Sequence, residues 1–486
     1  MMNYRLIARF FGILLLVETA ALLATALISW FYNDKNLIYF LASAAISFVA
    51  ASASILLGRN ANPTIGKREG SLVVTFTWIV FTLFGLLPFW LSGSIPSFTD
   101  AFFETISGFT TTGASILNNI EELSPGILFW RSLTHWIGGL GIIVLTLALL
   151  PVFGTSATQL FAAESAGPTK DKIHPKINET AKRLFLIYLI LTAVQTVLLR
   201  IGGMSWFDAV CQSFGTVATG GFSTKQASIA YWDSAYIQYV ISIFMILSGV
   251  NFSLYYFGFK NKFSKIKENE ELKYYLILLF SATILIVFSL IDFDQAFTFA
   301  KLEKAWRDAF FTVSSLMTTT GFGTADYVQW QPYTWVILLI VMLTGASAGS
   351  TSGAIKMVRI VIVFKYCYYE FKRIIHPNAV LPVRYSGHIV REDVITRVLA
   401  FVLLYLITVA FGILVLNISG LGFIESIGGL IGCLGGVGPG LGALGPMGNY
   451  ADIPEFSKWF LSFIMLVGRL ELFTVLLLFT PAFWKK

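Results

Sequence analysis

Four times along this chain an acidic residue opens a short apolar segment, and a glycine falls thirteen positions after each acid. Residues 100–115 read DAFFETISGFTTTGAS, 208–223 read DAVCQSFGTVATGGFS, 308–323 read DAFFTVSSLMTTTGFG and 425–440 read ESIGGLIGCLGGVGPG. The aligned glycines are Gly113, Gly221, Gly321 and Gly438, and the starts lie 108, 100 and 117 residues apart. Self-similarity at a long period constrains architecture more than any single element does. Each period holds one apolar span before the short segment and one after it, and a basic connection closes the unit. The four segments therefore enter from one side and are related by parallel, not inverted, repetition.

The long runs between them place the chain in a bilayer. Residues are 56% hydrophobic and only 13% charged, against about 25% charged in soluble domains. Apolar runs such as Ile7 to Trp30, Leu72 to Trp90 and Trp335 to Leu343 onward recur along the length, and about 20 such residues cross the hydrocarbon as a helix. A barrel would show alternation over about ten residues instead. The expected fold is an all-α polytopic membrane protein with four parallel span–loop–span repeats around a central pore. The expected organisation is two extra N-terminal helices in 1–57, repeat 1 in 71–152, repeat 2 in 181–259, repeat 3 in 272–362 with a broken second helix, and repeat 4 in 393–482. The first run is too long for a cleaved signal peptide. Cys211, Cys367 and Cys433 have neither disulfide-framework nor metal-ligand spacing.

Charge sets the orientation. Of 34 basic residues, 23 lie near the N-terminus or in alternate connections, at Arg59 to Arg68, Lys170 to Arg183, Lys260 to Lys273, Lys365 to Arg397 and Lys485–Lys486. The positive-inside rule puts these connections and both termini in the cytoplasm. The net charge of +7 then follows from topology and points to no nucleic-acid partner. The other face carries fifteen acids and would concentrate cations.

Irregular backbone at membrane depth is tolerated where protein buries it or where it lines a watery cavity. A half-span helix followed by Thr- and Gly-rich backbone meets that condition at the centre of a fourfold bundle. Asp100, Asp208, Asp308 and, more weakly, Glu425 are expected at the N-caps of these helices. Their C-terminal ends would present partial negative charge to a cation, and the carbonyls beyond can replace an ion's hydration shell. The candidate coordinating residues are Thr110, Thr111, Thr112 and Gly113; Thr219, Gly220 and Gly221; Thr318, Thr319, Thr320 and Gly321; and Gly436, Val437 and Gly438. Glycine at the aligned position permits backbone that a β-carbon forbids.

These four units resemble the repeats of the Trk/Ktr superfamily of potassium transporters. The two preceding spans and the segments HWIGGLGIIVL (135–145), PKINETAKRLFLIY (175–188), ATGGFST (218–224) and GRLELFT (468–474) resemble the Trk-type membrane subunit rather than the shorter Ktr one. The resemblance covers essentially the whole chain. It implies potassium uptake across a bacterial cytoplasmic (inner) membrane, because one glycine per loop goes with potassium selectivity and a serine in the first loop with sodium transport. The fourth loop departs from the threonine pattern and could coordinate only through its backbone. A homodimer and a cytoplasmic ring of nucleotide-binding regulatory subunits are also implied, with potassium as substrate and no cofactor on this chain.

Two further features stand out. Thr344 to Ala354 is a run of eleven small residues inside the second span of repeat 3, containing Gly345, Ala346, Ser347, Ala348, Gly349, Ser350, Thr351, Ser352 and Gly353. Close helix–helix packing would use such residues; the resemblance implies an intramembrane gating loop beneath the filter. Arg469, with Glu471, lies in the last apolar span, where ionisable groups are costly and mark functional sites. The resemblance places an arginine of GRLE near the pore, and a structural tie between helices is the alternative. Gly440 to Gly445 matches G-x-G-x-x-G without the βαβ context a dinucleotide needs. The four scattered histidines form no metal set, and no nucleophile–base constellation points to an enzyme. A sodium- or proton-coupled solute transporter is the competing reading, although those folds usually show two inverted repeats.

Overall fold

The computed structural model describes residues 3–61, 67–141, 177–291 and 298–484. The end of the first repeat (142–152), the basic connection from Lys170 to Lys176 and the terminal lysines lie outside the described residues. The chain is an α-helical membrane protein. Among the described residues six helices are long and apolar enough to cross a membrane, and two further bent pairs pass the same test together.

An N-terminal hairpin of α1 (Tyr4–Phe31) and α2 (Leu37–Leu57) comes first. Asn3 starts α1 by accepting from the Leu6 N–H at 3.2 Å. The hairpin closes tightly because Gly12 lies against the Ala51 carbonyl and Gly58 against that of Arg5, the small-residue contact that membrane helices favour. Two of its hydroxyls are spent within α1: Thr19 donates to Leu15 O and Thr25 to Ala21 O, the back-bond by which a polar side chain is satisfied inside an apolar helix.

Each of the four glycine-bearing segments lies in a group of helices that follows in chain order. The first comprises α3 (Lys67–Gly85), the short helix α4 (Phe98–Phe109) and α5 (Pro125–Gly139). The second comprises α6 (Ile177–Ile201), α7 (Trp206–Val217), α8 (Ala235–Gly249) and α9 (Phe252–Phe259). The third comprises α10 (Glu270–Leu290), α11 (Phe299–Met317), α12 (Pro332–Thr344) and α13 (Met357–Ile375). The fourth comprises α14 (Glu392–Ile418), α15 (Phe423–Gly435), α16 (Glu455–Arg469) and α17 (Leu472–Leu476). The short helices α4, α7 and α15 are buried along most of their length, whereas α14 exposes Leu403, Phe411 and Leu414, as a lipid-facing helix would. The only strands among the described residues are Arg384–Tyr385 and His388–Ile389, a minimal hairpin between α13 and α14.

The sequence expectation for the helix starts needs correction. The acids do not cap the short helices. Ser97 and Ser205 are the N-caps of α4 and α7, accepting from the N–H groups of Asp100 at 3.3 Å and Asp208 at 3.0 Å. Each acid instead sits in the first turn, as in a capping box, and Asp208 accepts from the Ser205 hydroxyl at 2.8 Å. In the third unit the helix begins at Phe299, so Asp308 is mid-helix; Glu425 is in the first turn of α15, whose N-cap is Gly422. The second span of unit 3 is interrupted between α12 and α13, and those of units 2 and 4 are bent. The axis turns by 94° between α8 and α9 and by 115° after α16.

Candidate ion pathway

The four short segments end in one shared backbone conformation. The residue eleven after each acid has positive φ: Thr111 at 54°, Thr219 at 54°, Thr319 at 57° and Gly436 at 69°. The glycine two positions on is also positive, at 83° for Gly113, 82° for Gly221, 84° for Gly321 and 89° for Gly438. Helix-closing bonds repeat in register: Thr112 N donates to Ser107 O, Gly220 N to Gly215 O, Thr320 N to Ser315 O and Val437 N to Gly432 O. This is the six-to-one bond of a Schellman C-cap. Three β-branched threonines hold a left-handed conformation that costs a residue with a β-carbon about 1–2 kcal/mol. Such strain persists only where the surroundings over-determine it. The fourth loop, which lacks the threonines, reaches the same shape with glycine.

The segments also touch one another in a cycle. A β-carbon on Gly113 would stand 2.1 Å from Gly220 O, one on Gly221 2.0 Å from Thr320 O, one on Gly321 2.0 Å from Val437 O, and one on Gly438 2.5 Å from Thr112 O. The four glycines and the four carbonyls just before them thus form a closed ring in chain order, and no glycine in it can take a side chain without displacing the next loop. Around the ring, Thr110 and Thr112 hydroxyls pair at 2.8 Å, as do those of Thr318 and Thr320.

The loops are braced from behind by residues the sequence reading left unassigned. Glu104 on α4 accepts from the Ile116 N–H at 2.9 Å and the Ser115 hydroxyl at 3.0 Å. Arg131 on α5 donates through Nε to Glu104 at 2.6 Å and through Nη1 to Ser223 O at 2.8 Å. His135 is buried and stacks on Phe222 with ring centres 4.0 Å apart. Tyr450 donates to Gly438 O and Tyr327 to Gly440 O, both at 2.7 Å. At the rim Lys458 pairs with Asp100 at 2.6 Å and also donates to Ala451 O at 2.7 Å. A charged residue within a short apolar helix, as in FWRSLTHW, was the available signal for Arg131.

Directly past the helix ends lies the small-residue run. Residues 345–356 leave the helix between α12 and α13, with positive φ at Gly345 (67°), Gly349 (73°), Ala354 (61°) and Lys356 (78°). The excursion closes on itself, since Ile355 N donates to Leu343 O at 3.2 Å. It reaches three of the four loops. Thr351 donates to Val217 O at 3.1 Å, Gly353 N to the Thr319 hydroxyl at 2.8 Å, and a β-carbon on Gly353 would meet Gly435 O at 2.2 Å. Glu271 on α10 holds it from the side, accepting from Ala348 N at 2.7 Å and Val358 N at 3.2 Å. Ala346 O accepts from Met357 N, Ser347 N donates to Gly249 O, and the Ser350 and Ser352 hydroxyls pair. Arg469, at the bend after α16, donates to Thr351 O at 3.3 Å and to Gly138 O. Neighbouring Glu471 pairs with Arg359 at 2.7 Å. The structure therefore brings Thr112, Gly113, Gly220, Gly221, Thr320, Gly321, Val437 and Gly438 to one ring, and leaves Thr110, Thr111, Thr219, Thr318, Thr319 and Gly436 in the turns that precede it. It sets the run 345–353 against the helix ends, with Arg469 bound to it at Thr351 O.

A family model described as "Cation transport protein", TrkH, matches residues 38–486. The chain belongs to the TrkH family of cation transport proteins. As a TrkH-family member it is a transporter and not an enzyme. It is 37% identical over 492 residues to the Trk system potassium uptake protein TrkH of Salmonella typhimurium, with 100% of each chain covered. It is also 32% identical to the Trk system potassium uptake protein TrkG of Escherichia coli K12, with 99% of each covered. The crystal structure of the potassium transporter TrkH from Vibrio parahaemolyticus superposes with a TM-score of 0.89 at 33% identity, covering 100% of both chains. Several apolar spans and this TrkH kinship make it a multi-pass membrane protein. Among the described residues no group of His, Cys, Asp or Glu could hold a metal ion.

Proposed function

We propose that this chain conducts potassium inward through the ring formed by its four loops. The carrying observation is the cycle in which each aligned glycine abuts the carbonyl before the next one. Four carbonyls gathered just past the buried ends of α4, α7, α11 and α15 replace a cation's water with fixed dipoles, while the helix C-termini lend negative potential. Coordination is by backbone at Thr112, Gly220, Thr320 and Val437, so the missing threonines of the fourth loop do not break the ring. The excursion 345–356 is the gate. It lies against the ends of α7, α11 and α15, and Arg469 adds a fixed positive charge that opposes a passing cation.

The protein works in the cytoplasmic membrane with the basic connections and both termini inside. A homodimer and a nucleotide-binding regulatory ring on the cytoplasmic face complete the system, in keeping with relatives named as parts of a Trk system. The test is rubidium and sodium flux into liposomes holding the purified protein. Wild type should pass rubidium in preference to sodium with no organic solute present, and Gly113→Ser should lose the preference. Flux that requires an organic solute, or equal preference in both proteins, would refute the reading.

A further inference from the structure

The most deeply buried ion pair among the described residues is Arg131–Glu104, with side chains 3% and 0% exposed. It exists in one unit of four. Four residues after the opening acid, where unit 1 has Glu104, the other units have Gln212, Thr312 and Gly429. Seven residues after the helix N-cap (Ser124, Ser234, Gln331, Pro454), where unit 1 has Arg131, they have Ile241, Leu338 and Leu461. All three of those aliphatic residues are 0% exposed. The position therefore packs well without charge. An ion pair buried there is, as a rule, no more stable than apolar side chains of similar volume. Stability does not explain it.

Its connections do. Glu104 holds Ser115 and Ile116, the residues two and three past Gly113. Arg131 holds the carbonyl of Ser223, two past Gly221, and its guanidinium lies 3.6 Å from the centre of the Phe222 ring. The pair thus spans the descending limbs of loops 1 and 2 with charge-assisted bonds, which are shorter and stiffer than neutral ones. Loops 2 and 3, and loops 3 and 4, meet through neutral bonds, Ile229 N to Gly323 O and the Tyr327 hydroxyl to Gly440 O. Between loops 4 and 1 Tyr450 N donates to Ser115 O, and the charged link there, Lys458 to Asp100 and Ala451 O, sits at the start of α4 and not beside Gly113.

We propose that Glu104 and Arg131 are selectivity-positioning residues. They touch no ion, and they set the separation of loops 1 and 2 where Gly113 meets Gly220 O. This rests on the reading of the ring as the filter. The experiment is the double substitution Glu104→Gln with Arg131→Ile, which gives unit 1 the residue types unit 2 already carries. Purified and reconstituted, it should remain folded and conduct rubidium, while its rubidium-over-sodium flux ratio falls about tenfold. Arg131→Lys keeps the charge without the forked geometry that serves both partners, and its ratio should fall between the two. A folded double variant with the wild-type ratio overturns the proposal. If the double variant does not fold, Arg131→Lys decides: a wild-type ratio overturns the proposal and a lowered ratio supports it. Gly113→Ser in the same liposomes separates the readings. Should it lower the ratio while the pair variants do not, the filter stands and the pair proposal fails; should it leave the ratio unchanged, the filter reading itself fails.

Discussion

Gly321→Ala puts the least possible matter into the ring. The added methyl would stand 2.0 Å from Val437 O and 2.8 Å from Pro439 Cδ. Carbon–oxygen contacts settle at about 3.3 Å or more, so one limb must retreat by about 1.3 Å. That is several times the tolerance of about 0.2 Å on a coordination distance. The φ of 84° adds a left-handed penalty of about 1–2 kcal/mol. Gly203→Ala isolates that second effect, because Gly203 has φ 99° and nothing within 4 Å of a β-carbon. Both variants should lose thermal stability in detergent, Gly321→Ala at least as much as Gly203→Ala because it carries the clash as well. Only Gly321→Ala should lose selectivity, its rubidium-over-sodium flux ratio falling about tenfold or more, which corresponds to about 1.4 kcal/mol of lost discrimination. An unchanged ratio in folded Gly321→Ala, or equal losses in the two variants, would refute the steric reasoning.

Other consequences can be checked in the same assay. Gly436→Thr places a threonine where the other loops have one, with nothing within 4 Å of its β-carbon; selectivity should be retained and stability should drop by about 1–2 kcal/mol, read by thermal denaturation. Deleting Gly345 to Gly353 removes an excursion whose ends already meet at Leu343 and Ile355, so basal rubidium flux should rise without any regulatory partner, and Arg469→Ala should raise it less; folded deletion protein with unchanged flux would contradict the gate. Glu121→Gln with Glu122→Gln should slow uptake at low potassium more than at saturation, and more at low than at high ionic strength, whereas a uniform loss would indicate a folding defect.

Much of this arrangement is legible in the chain. The glycines at 113, 221, 321 and 438 align by eye, and the structure gives all four one backbone shape. The small residues of 344–354 coincide with a departure from helix because glycine and serine leave the backbone free to do so. What stayed hidden is of two kinds. The bends after Gly249 and Arg469 fall in runs that are still apolar enough to cross a membrane, so hydropathy does not register them. The brace of Glu104, Arg131 and Ser223 joins residues 27 and 92 positions apart, and no local pattern encodes such a contact. Ser97 and Ser205 stand three residues before their acids, a capping-box spacing that marks the serines, not the acids, as the caps.

The central claim is that cations sit on the axis of the four-loop ring, and anomalous scattering tests it most directly. Crystals of the flux-competent protein, grown or soaked in rubidium, should show an anomalous peak equidistant from the carbonyls of Thr112, Gly220, Thr320 and Val437. The peak should weaken when potassium replaces rubidium and should be absent in Gly321→Ala. Rubidium bound only elsewhere, with the ring unoccupied at concentrations that saturate flux, would contradict the account.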